Sequence, residues 1–381
     1  MKLAAEQRAQ RHAEQRALAT IARDPVLEAH CRASPDDPAP WAVYADWLIE
    51  HGDPRGEIAA LHLRGNAGRA AELLAVHHAT LCPIDPRYVT FEFRHGFAIG
   101  ATVKLALYED TTDLTTATET LLASPMADLL ERLRLGLAAF GHGNNWRPAF
   151  ERIAHSAVAD RLRVLRFDAY DYDDCMMHWI KDADFSGLWH CFPVLEELRL
   201  RGDRMTVGTL DLPRLRTYIR EATALGPGEI EAITDRARPA LAHLELWLGG
   251  CEADFVDSLQ PIFDARGLPA LRHLGLVNTN VIDLVIPRLA GSAVLPQLES
   301  LDLRMSTMGR HSAAQLVEHA AAFRHLASID LSQNQLSDDE VAAIRRVLDN
   351  VITVDQRDIY DDEEDVEDPN LERHRYAAEY E

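Results

Sequence analysis

The segment 326–336 constrains the fold of this 381-residue chain more than any other. It reads Leu-x-x-Ile-x-Leu-x-x-Asn-x-Leu. Positions two apart lie on one face of a strand, so the pattern predicts a short strand with apolar side chains turned inward, followed by a bend. Asn334 stands where its side chain can bond the backbone of that bend. A single unit of this kind cannot bury its leucines, so the pattern requires adjacent copies of itself.

Similar apolar triples recur upstream of this segment. Successive copies start between 20 and 33 residues apart, and most spacings leave room for a strand, a turn and a helix. The interval of 20 residues at 195–215 is too short for a helix, so we expect a turn or loop over 206–212. In one degenerate copy, Leu215/Tyr218, the third position holds Arg220. The other upstream copies are Leu130/Leu133/Leu135, Leu162/Leu165/Phe167, Leu195/Leu198/Leu200, Leu241/Leu244/Leu246, Leu271/Leu274/Leu276 and Leu298/Leu301/Leu303.

These units resemble leucine-rich repeats, and their length of about 28 residues is similar to that of the ribonuclease-inhibitor-like class. The resemblance implies an α/β fold: a leucine-rich repeat solenoid with parallel strands on the concave face and helices on the convex face. Residues 313–323 and 338–347 have the composition and periodicity of its helices. Thr279 and Ser306 are smaller polar counterparts of Asn334, and Asp203 is a further candidate for that role.

The N-terminal part predicts a helical hairpin. Trp41, Tyr44 and Trp47 are three residues apart and fall on one apolar helix face. Asp53-Pro54 has the features of a helix start, with Asp as the N-cap and Pro at the first helical position.

The order Tyr44-Ala45-Asp46-Trp47-Leu48, followed by Gly52-Asp53-Pro54-Arg55-Gly56-Glu57, resembles the bacterial repeat-companion domain. The resemblance implies a bacterial leucine-rich repeat protein of poorly defined function, and it implies no catalytic residue. Asp46 and Glu57 can be read as an acid–base pair. Helix capping or a salt bridge with Arg55 is the interpretation that we favour.

Four regions are predicted along the chain. Residues 1–85 form an N-terminal helical repeat-companion module. Residues 86–129 supply capping strands and a helix, with alternating apolar runs at 88–93, 97–99 and 103–105. The solenoid occupies 130–356. Residues 357–381 are an acidic tail that cannot bury enough apolar surface to order itself.

Charge and cysteine usage exclude several classes of function. The net charge of −22 disfavours binding to nucleic acid and to anionic membranes. The 5 cysteines are scattered and form no CxxC pair, which argues against a disulfide framework. The N-terminus lacks the apolar run of a signal peptide, and no stretch has the length of a membrane span. We therefore expect a cytoplasmic protein.

The residues between the leucines predict a binding surface. Strand alternation places the third, fifth and seventh positions of each unit on the concave face, including Glu197, Glu245 and Ser300. Arginines there can pair with carboxylate or phosphate groups, and Trp247 can act as an aromatic anchor. The alternative is that Arg and Glu form cross-strand ion pairs on a solvated sheet. The candidate partner-binding residues are Arg134, Arg166, Arg199, Arg201, His243, Trp247, His273, Asp302 and Arg304.

Candidate catalytic and metal residues are few. His178, His190 and Cys191 lie in one loop-like insertion, 171–193, but lack the spacing of a zinc site. We therefore predict no catalytic residue, cofactor or metal, and a non-enzymatic scaffold that binds a protein partner on the concave face. The alternative is a regulatory or effector component, including an unrecognised enzyme, in which the N-terminal module acts and the repeats select the target. The oligomeric state is left open.

Overall fold

The computed structural model describes residues 22–105, 112–138, 144–171, 174–180 and 183–357. It divides into two compact units. The first contains Met1–Ala139 and Pro148–Leu165, and the second contains Phe140–Arg147 and Arg166–Glu381. Residues 1–21 of the predicted N-terminal module and residues 358–381 of the predicted acidic tail lie outside the described residues. Both units combine helices with strands, and the strands of the second unit pair in parallel, so the fold is mixed α/β.

The first unit begins with four helices: α1 (Pro25–Ala33), α2 (Pro38–Glu50), α3 (Pro54–Leu63) and α4 (Ala67–Leu81). Three of them start in the same way, because an Asp side chain caps the backbone and a Pro fills the first helical position. The predicted start at Asp53-Pro54 is confirmed. Asp24-Pro25 and Asp37-Pro38 follow the same rule.

Close packing between α2 and α3 explains part of the Gly-Asp-Pro-Arg-Gly-Glu motif. A Cβ on Gly56 would lie 2.5 Å from the Ala45 carbonyl oxygen, so only glycine allows the two helices to approach this closely. The tyrosine of the first motif has a core role too, since Tyr44 is buried and stacks on Phe97.

The same motif supplies a buried ion-pair network. Arg55 contacts Asp53 at 2.8 Å and Asp128 at 2.9 Å, and it also donates to the Pro125 carbonyl oxygen at 2.9 Å. Asp46 and Glu57 are both exposed. The predicted salt bridge between Arg55 and one of these two acids is therefore wrong: the carboxylates that Arg55 binds are buried beside it.

Strands complete the first unit. β1 (Val89–Arg94) pairs antiparallel with β2 (Phe97–Val103), and β2 pairs in parallel with β3 (Arg132–Leu135). The predicted runs at 88–93 and 97–99 are confirmed as strands, whereas the run at 103–105 is wrong as a separate strand, because β2 ends at Val103. Helices α5 (Leu114–Ala123) and α6 (Arg147–Ala154) follow β2 and β3 in the chain, and the division between the units falls within β4 (Val164–Phe167).

The second unit is organised around parallel strands. Within its described residues, β6, β8, β9, β10, β11, β12 and β13 follow one another in the sheet, and a small separate pair is formed by β5 and β7. Val207–Leu212 has no regular structure, as expected for the short interval, although β7 precedes it. The strands are β5 (Ala183–Asp184), β6 (Glu197–Arg201), β7 (Met205–Thr206), β8 (Thr217–Glu221), β9 (His243–Gly249), β10 (His273–Thr279), β11 (Ser300–Asp302), β12 (Ser328–Asp330) and β13 (Val351–Ile352).

One apolar residue from each strand enters a common column. Register partners run from Leu198 through Tyr218 and continue to the last strand without a shift. The residues from β6 to β12 in this column are at most 1% exposed. Each fully buried leucine contributes about 1.5–3 kcal/mol, so the column is a major source of stability. Its members are Leu198, Tyr218, Leu244, Leu274, Leu301, Ile329 and Val351.

Helices of varied length join these strands. The predicted helix at 313–323 is observed as two shorter ones, and the one at 338–347 begins at a Ser337–Glu340 capping box. The helices are α7 (Pro227–Thr234), α8 (Phe255–Ser258), α9 (Gln260–Phe263), α10 (Ile282–Ala290), α11 (Arg310–Glu318), α12 (Ala320–Phe323) and α13 (Asp338–Arg345).

Arg220 occupies a position where neighbouring strands carry leucine. It lies in register between Leu200 and Leu246 and is fully buried. Its guanidinium forms a salt bridge with Glu229 on α7 and donates to the Gly202 carbonyl oxygen at 2.7 Å. The degenerate copy is therefore a structural unit in which an ion pair replaces a leucine.

Polar side chains bond the bends after the strands. Asn334 donates to the carbonyl oxygens of Leu303 and Leu331, each at 3.0 Å, and accepts from the Met308 N–H at 3.4 Å. The predicted role of Asn334 is confirmed. Ser306 accepts a hydrogen bond from the Thr279 N–H at 3.2 Å, so the smaller residues link adjacent bends in the same region.

Candidate binding surface

One side of the second unit's sheet carries polar residues in register, and we call it the polar face. It is opposite to the side that buries the leucine column, because side chains alternate along each strand. Glu197, Thr217, His243, His273, Ser300 and Ser328 form one row of this face, and Arg199, Ile219, Glu245, Gly275, Asp302 and Asp330 form the next.

The arginine cluster occupies the β4–β8 part of the polar face and consists of Arg166, Arg199 and Arg201 with their acidic partners. Arg166 contacts Glu197 at 2.5 Å. Arg199 contacts Asp168 at 3.2 Å and Glu221 at 2.5 Å, and Arg201 lies 3.5 Å from Glu221. Every arginine in this cluster therefore has an acidic partner within the fold.

Burial distinguishes the acids from the arginines in this cluster. Glu221 and Asp168 are nearly inaccessible, whereas the arginine side chains are 19–35% exposed. Burial raises the pKa of the Glu221 carboxyl, although Arg199 and Arg201 oppose that effect. Arg201 also lies over the ring of the buried Tyr170, with its Cζ atom 5.0 Å from the ring centroid. This geometry supports the alternative of cross-strand ion pairs.

The histidine cluster lies farther along the polar face and consists of His243, Glu245, His273 and Arg304. The rings of His243 and His273 stack with centroids 4.0 Å apart and an interplanar angle of 12°. They meet because the two residues are register partners on β9 and β10. Nδ1 of His273 lies 2.8 Å from the Ser300 hydroxyl oxygen. Burial, followed by the proximity of His243, lowers the pKa of His273 to about 4, so this ring is neutral at neutral pH.

Glu245 is the centre of the histidine cluster. Its Oε1 atom accepts hydrogen bonds from Trp247 Nε1 at 2.7 Å and from Arg304 Nη2 at 2.9 Å. Its Oε2 atom lies 3.7 Å from His243 Nε2. Burial raises the pKa of the Glu245 carboxyl, but His243, Trp247 and Arg304 outweigh burial and lower the pKa to about 2. Glu245 is therefore ionised at neutral pH.

Gly275 creates the space that Arg304 crosses. It stands in register between Glu245 and Asp302, and a Cβ there would lie 2.9 Å from Glu245 Cγ. Arg304 forms salt bridges with both of these acids, so its guanidinium spans the strand that lacks a side chain. The arrangement ties together residues from three neighbouring strands.

The predicted aromatic anchor, Trp247, is mostly covered by its neighbours. Trp247 is 7% exposed, packs with Val277 and Met305, and directs its indole N–H to Glu245. Asp302 is 3% exposed and is bonded to Arg304, so it is also unavailable for direct contact with a partner. Both residues stabilise the polar face from within.

The structure brings the predicted candidates together only in part. His243, Trp247, His273, Asp302 and Arg304 form one connected group. A second group contains Arg166, Arg199 and Arg201, of which the last two share Glu221. Arg134 lies on β3 in the first unit and is exposed.

Potential metal ligands occur in the histidine cluster. Among the described residues, His243, Glu245 and His273 offer one ligand atom each, and these atoms all lie within 4.8 Å of one another. The insertion at 171–193, which lacks the spacing of a zinc site, is a different part of the chain. Sequence reasoning placed Glu245 on the polar face but did not select it, although its position between two histidines of adjacent units was a usable signal.

Comparisons with known proteins support the fold. No protein-family model matches the sequence, and comparison with curated proteins gives no significant match. The structure is similar to a crystal structure of a Bacteroides fragilis protein, with a TM-score of 0.59, 22% identity, and coverage of 67% of this chain and 74% of that chain. An internalin from Listeria monocytogenes aligns at a TM-score of 0.28 with 12% identity, covering 64% of this chain and 76% of that one, which supports no argument about this protein. The likeness to the Bacteroides protein concerns the fold alone.

Across the described parts of the chain, no helix combines the length and the apolar character that a membrane-spanning helix requires.

Proposed function

We propose that this chain is a leucine-rich repeat protein of the ribonuclease-inhibitor-like class, with a repeat-companion module, and that it binds a protein partner through the polar face. The observation that carries the proposal is the unbroken register of parallel strands from β6 to β13. Repeat architectures of this type expose extended surfaces that bind other macromolecules. In such a solenoid the polar face would line the concave side.

A protein partner fits the charge of the surface better than a nucleic acid does. The arginines of the polar face are matched by buried or half-buried acids, and the whole chain has a net charge of −22. Binding to phosphate backbones relies on uncompensated Lys and Arg. Half-buried Thr217, Ser300 and Ser328 suit the polar and hydrogen-bonded contacts that protein interfaces contain.

Binding without catalysis is part of the proposal. In the first unit, the buried charges of Asp53, Arg55 and Asp128 bond one another, as a structural network does. We also propose a cytoplasmic location, because none of the 5 cysteines, all of which are described residues, forms a disulfide, as is usual in a reducing compartment.

Bulky substitutions on the polar face test the proposal. Tagged wild-type chain and the double variant Thr217→Arg/Ser328→Arg would be expressed in the source cell and purified with their partners. Both positions are half-buried on the face, so arginine there projects from it. The control is Gln260→Arg, an exposed position on α9. We expect a partner that is recovered with the wild type and the control, and whose recovery falls about tenfold with the double variant. Equal recovery with all three proteins would contradict binding through this face.

A further inference from the structure

Two nitrogen atoms of the histidine cluster have unused bonding capacity. Nε2 of His243 and Nε2 of His273 are both shielded from solvent, and neither has a hydrogen-bond partner among the described residues. Buried polar atoms in proteins are nearly always bonded, so two such atoms on neighbouring strands call for a specific explanation. The nearest acid is Glu245, whose Oε2 lies 3.7 Å from His243 Nε2.

The surrounding residues orient these three groups. Trp247 and Arg304 both bond Oε1 of Glu245, which leaves Oε2 directed towards the histidines. Ser300 contacts Nδ1 of His273, so the remaining nitrogen of that ring is Nε2. Metal-binding histidines and carboxylates are typically held in this way, since a partner on the second atom fixes the orientation of the first.

From this geometry we propose that His243, Glu245 and His273 bind one divalent transition-metal ion of the Zn²⁺ type. Two imidazole nitrogens and one carboxylate oxygen form a ligand set used by zinc and by related first-row metals. Ca²⁺ and Mg²⁺ are poor candidates because they prefer sites made of oxygen atoms. Three protein ligands leave at least one coordination position for water or for a group of a bound partner.

The distances allow such a site after a small rearrangement. Zinc lies about 2.0–2.2 Å from nitrogen and oxygen ligands, and its near-tetrahedral angles place two ligand atoms on one ion about 3.3–3.6 Å apart. His243 Nε2 and Glu245 Oε2, at 3.7 Å, are close to this separation, whereas the full set spans up to 4.8 Å. The stacked rings must also separate, because an ion lies close to the plane of each imidazole that binds it. Both changes require a movement of the His243 or His273 side chain.

Titration of the purified full-length chain with Zn²⁺ tests the proposal. Isothermal titration calorimetry would give the stoichiometry and affinity, and visible absorption of added Co²⁺ would report the ligand set. We expect one ion per chain, and we expect His243→Gln and His273→Gln each to weaken binding about tenfold or more. The conservative variant Ser300→Ala leaves all three ligands in place and is expected to weaken binding about tenfold, as loss of an orienting partner does.

Two controls separate this site from binding by other histidines. The double variant His77→Gln/His78→Gln removes adjacent histidines on α4, and His155→Gln removes an exposed one. Both controls should bind Zn²⁺ like the wild type. The proposal is overturned if the wild type binds no Zn²⁺, if the His243 and His273 variants bind it unchanged, or if the controls lose it. Circular dichroism of each variant before titration verifies folding, and Ser300→Ala keeps the test decisive should a histidine variant unfold.

Discussion

The arginine cluster and the histidine cluster occupy the same polar face but satisfy their polar groups differently. In the arginine cluster, three cations are matched by Asp168, Glu197 and Glu221. In the histidine cluster, one ionised acid, Glu245, accepts hydrogen bonds from Arg304 and Trp247 and lies 3.7 Å from His243 Nε2. Two imidazole nitrogens remain without hydrogen bonds there.

This difference indicates where the polar face can accept a new ligand. A partner that competes for the arginines must first break ion pairs that the fold already makes, and the net gain from such an exchange is small. The histidine cluster offers atoms that lose no existing hydrogen bond when they bind. A surface rich in charge is therefore a weaker indication of binding than a smaller set of unsatisfied atoms.

The largest effect is expected from removing the acid shared by two arginines. Glu221→Gln should lower the free energy of unfolding by about 3 kcal/mol, because Arg199 and Arg201 lose a buried partner. The matched control Glu231→Gln, at an exposed position on α7, should change it by less than about 0.5 kcal/mol. Urea denaturation measures both. A loss below about 1 kcal/mol for Glu221→Gln would mean that the ion pairs of Glu221 with Arg199 and Arg201 contribute little to stability.

A pH dependence of stability is expected from Asp302, which forms a salt bridge with Arg304 of the histidine cluster. Burial raises the pKa of this carboxyl to about 6 even though Arg304 opposes it. The folded state therefore holds its proton more tightly than the unfolded state, and this contribution to stability is full below pH of about 4 and is lost as pH rises through 6. Relative to Asp302→Asn, the wild type should lose up to about 3 kcal/mol of stability between pH 4 and 7. Urea denaturation of both proteins at pH 4 and pH 7 measures this change. An equal difference in stability between the wild type and Asp302→Asn at the two pH values would contradict a raised pKa.

The space above Gly275 can be tested directly. Gly275→Ala places a methyl group 2.9 Å from Glu245 Cγ, so Glu245 and Arg304 must shift, and we expect a loss of about 1–3 kcal/mol. The control Gly228→Ala, on α7 with open space around the added Cβ, should be neutral or stabilise by up to about 1 kcal/mol. Thermal unfolding distinguishes the two. Equal midpoints would show that the histidine cluster tolerates repacking.

The smallest effect concerns the most exposed pair of the arginine cluster. A double-mutant cycle with Arg166→Gln and Glu197→Gln should give a coupling energy of about 0.2–1 kcal/mol, because both side chains reach solvent. The coupling should decrease when salt is raised, since ions screen exposed charges. A coupling above about 2 kcal/mol would show that this pair is as strongly held as the one at Glu221.

The parallel strands were predictable from sequence because leucine spacing reports the alternation of a strand directly. Leu244, Leu274 and Ile329 therefore fell into one column as expected. The helix starts at Asp24-Pro25 and Asp37-Pro38 were equally readable from the Asp-Pro rule that identified Asp53-Pro54. Strand alternation and helix capping depend mainly on neighbouring residues in the sequence, so they can be predicted without knowledge of the tertiary structure.

The candidate site was predictable only in outline. Alternation assigns a residue to a face but not to a depth, so it could not reveal that Val277 and Met305 cover Trp247. It also could not show that Glu245 meets Arg304, because these residues are 59 positions apart in the chain. The sequence left open whether the arginines are ion-paired or available to a partner, since their acidic partners come from other strands.

The buried salt bridge at Arg220 has a consequence for any attempt to regularise these repeats. Replacing Arg220 alone with the leucine that its neighbours carry would leave Glu229 charged and enclosed, which is worse than the original pair. Arg220 and Glu229 have to be replaced together, for example by leucine and methionine, for this repeat unit to resemble its neighbours. A count of repeat units that relies on leucines alone would also miss the unit of Arg220 and leave an apparent interval of 46 residues between Leu195 and Leu241.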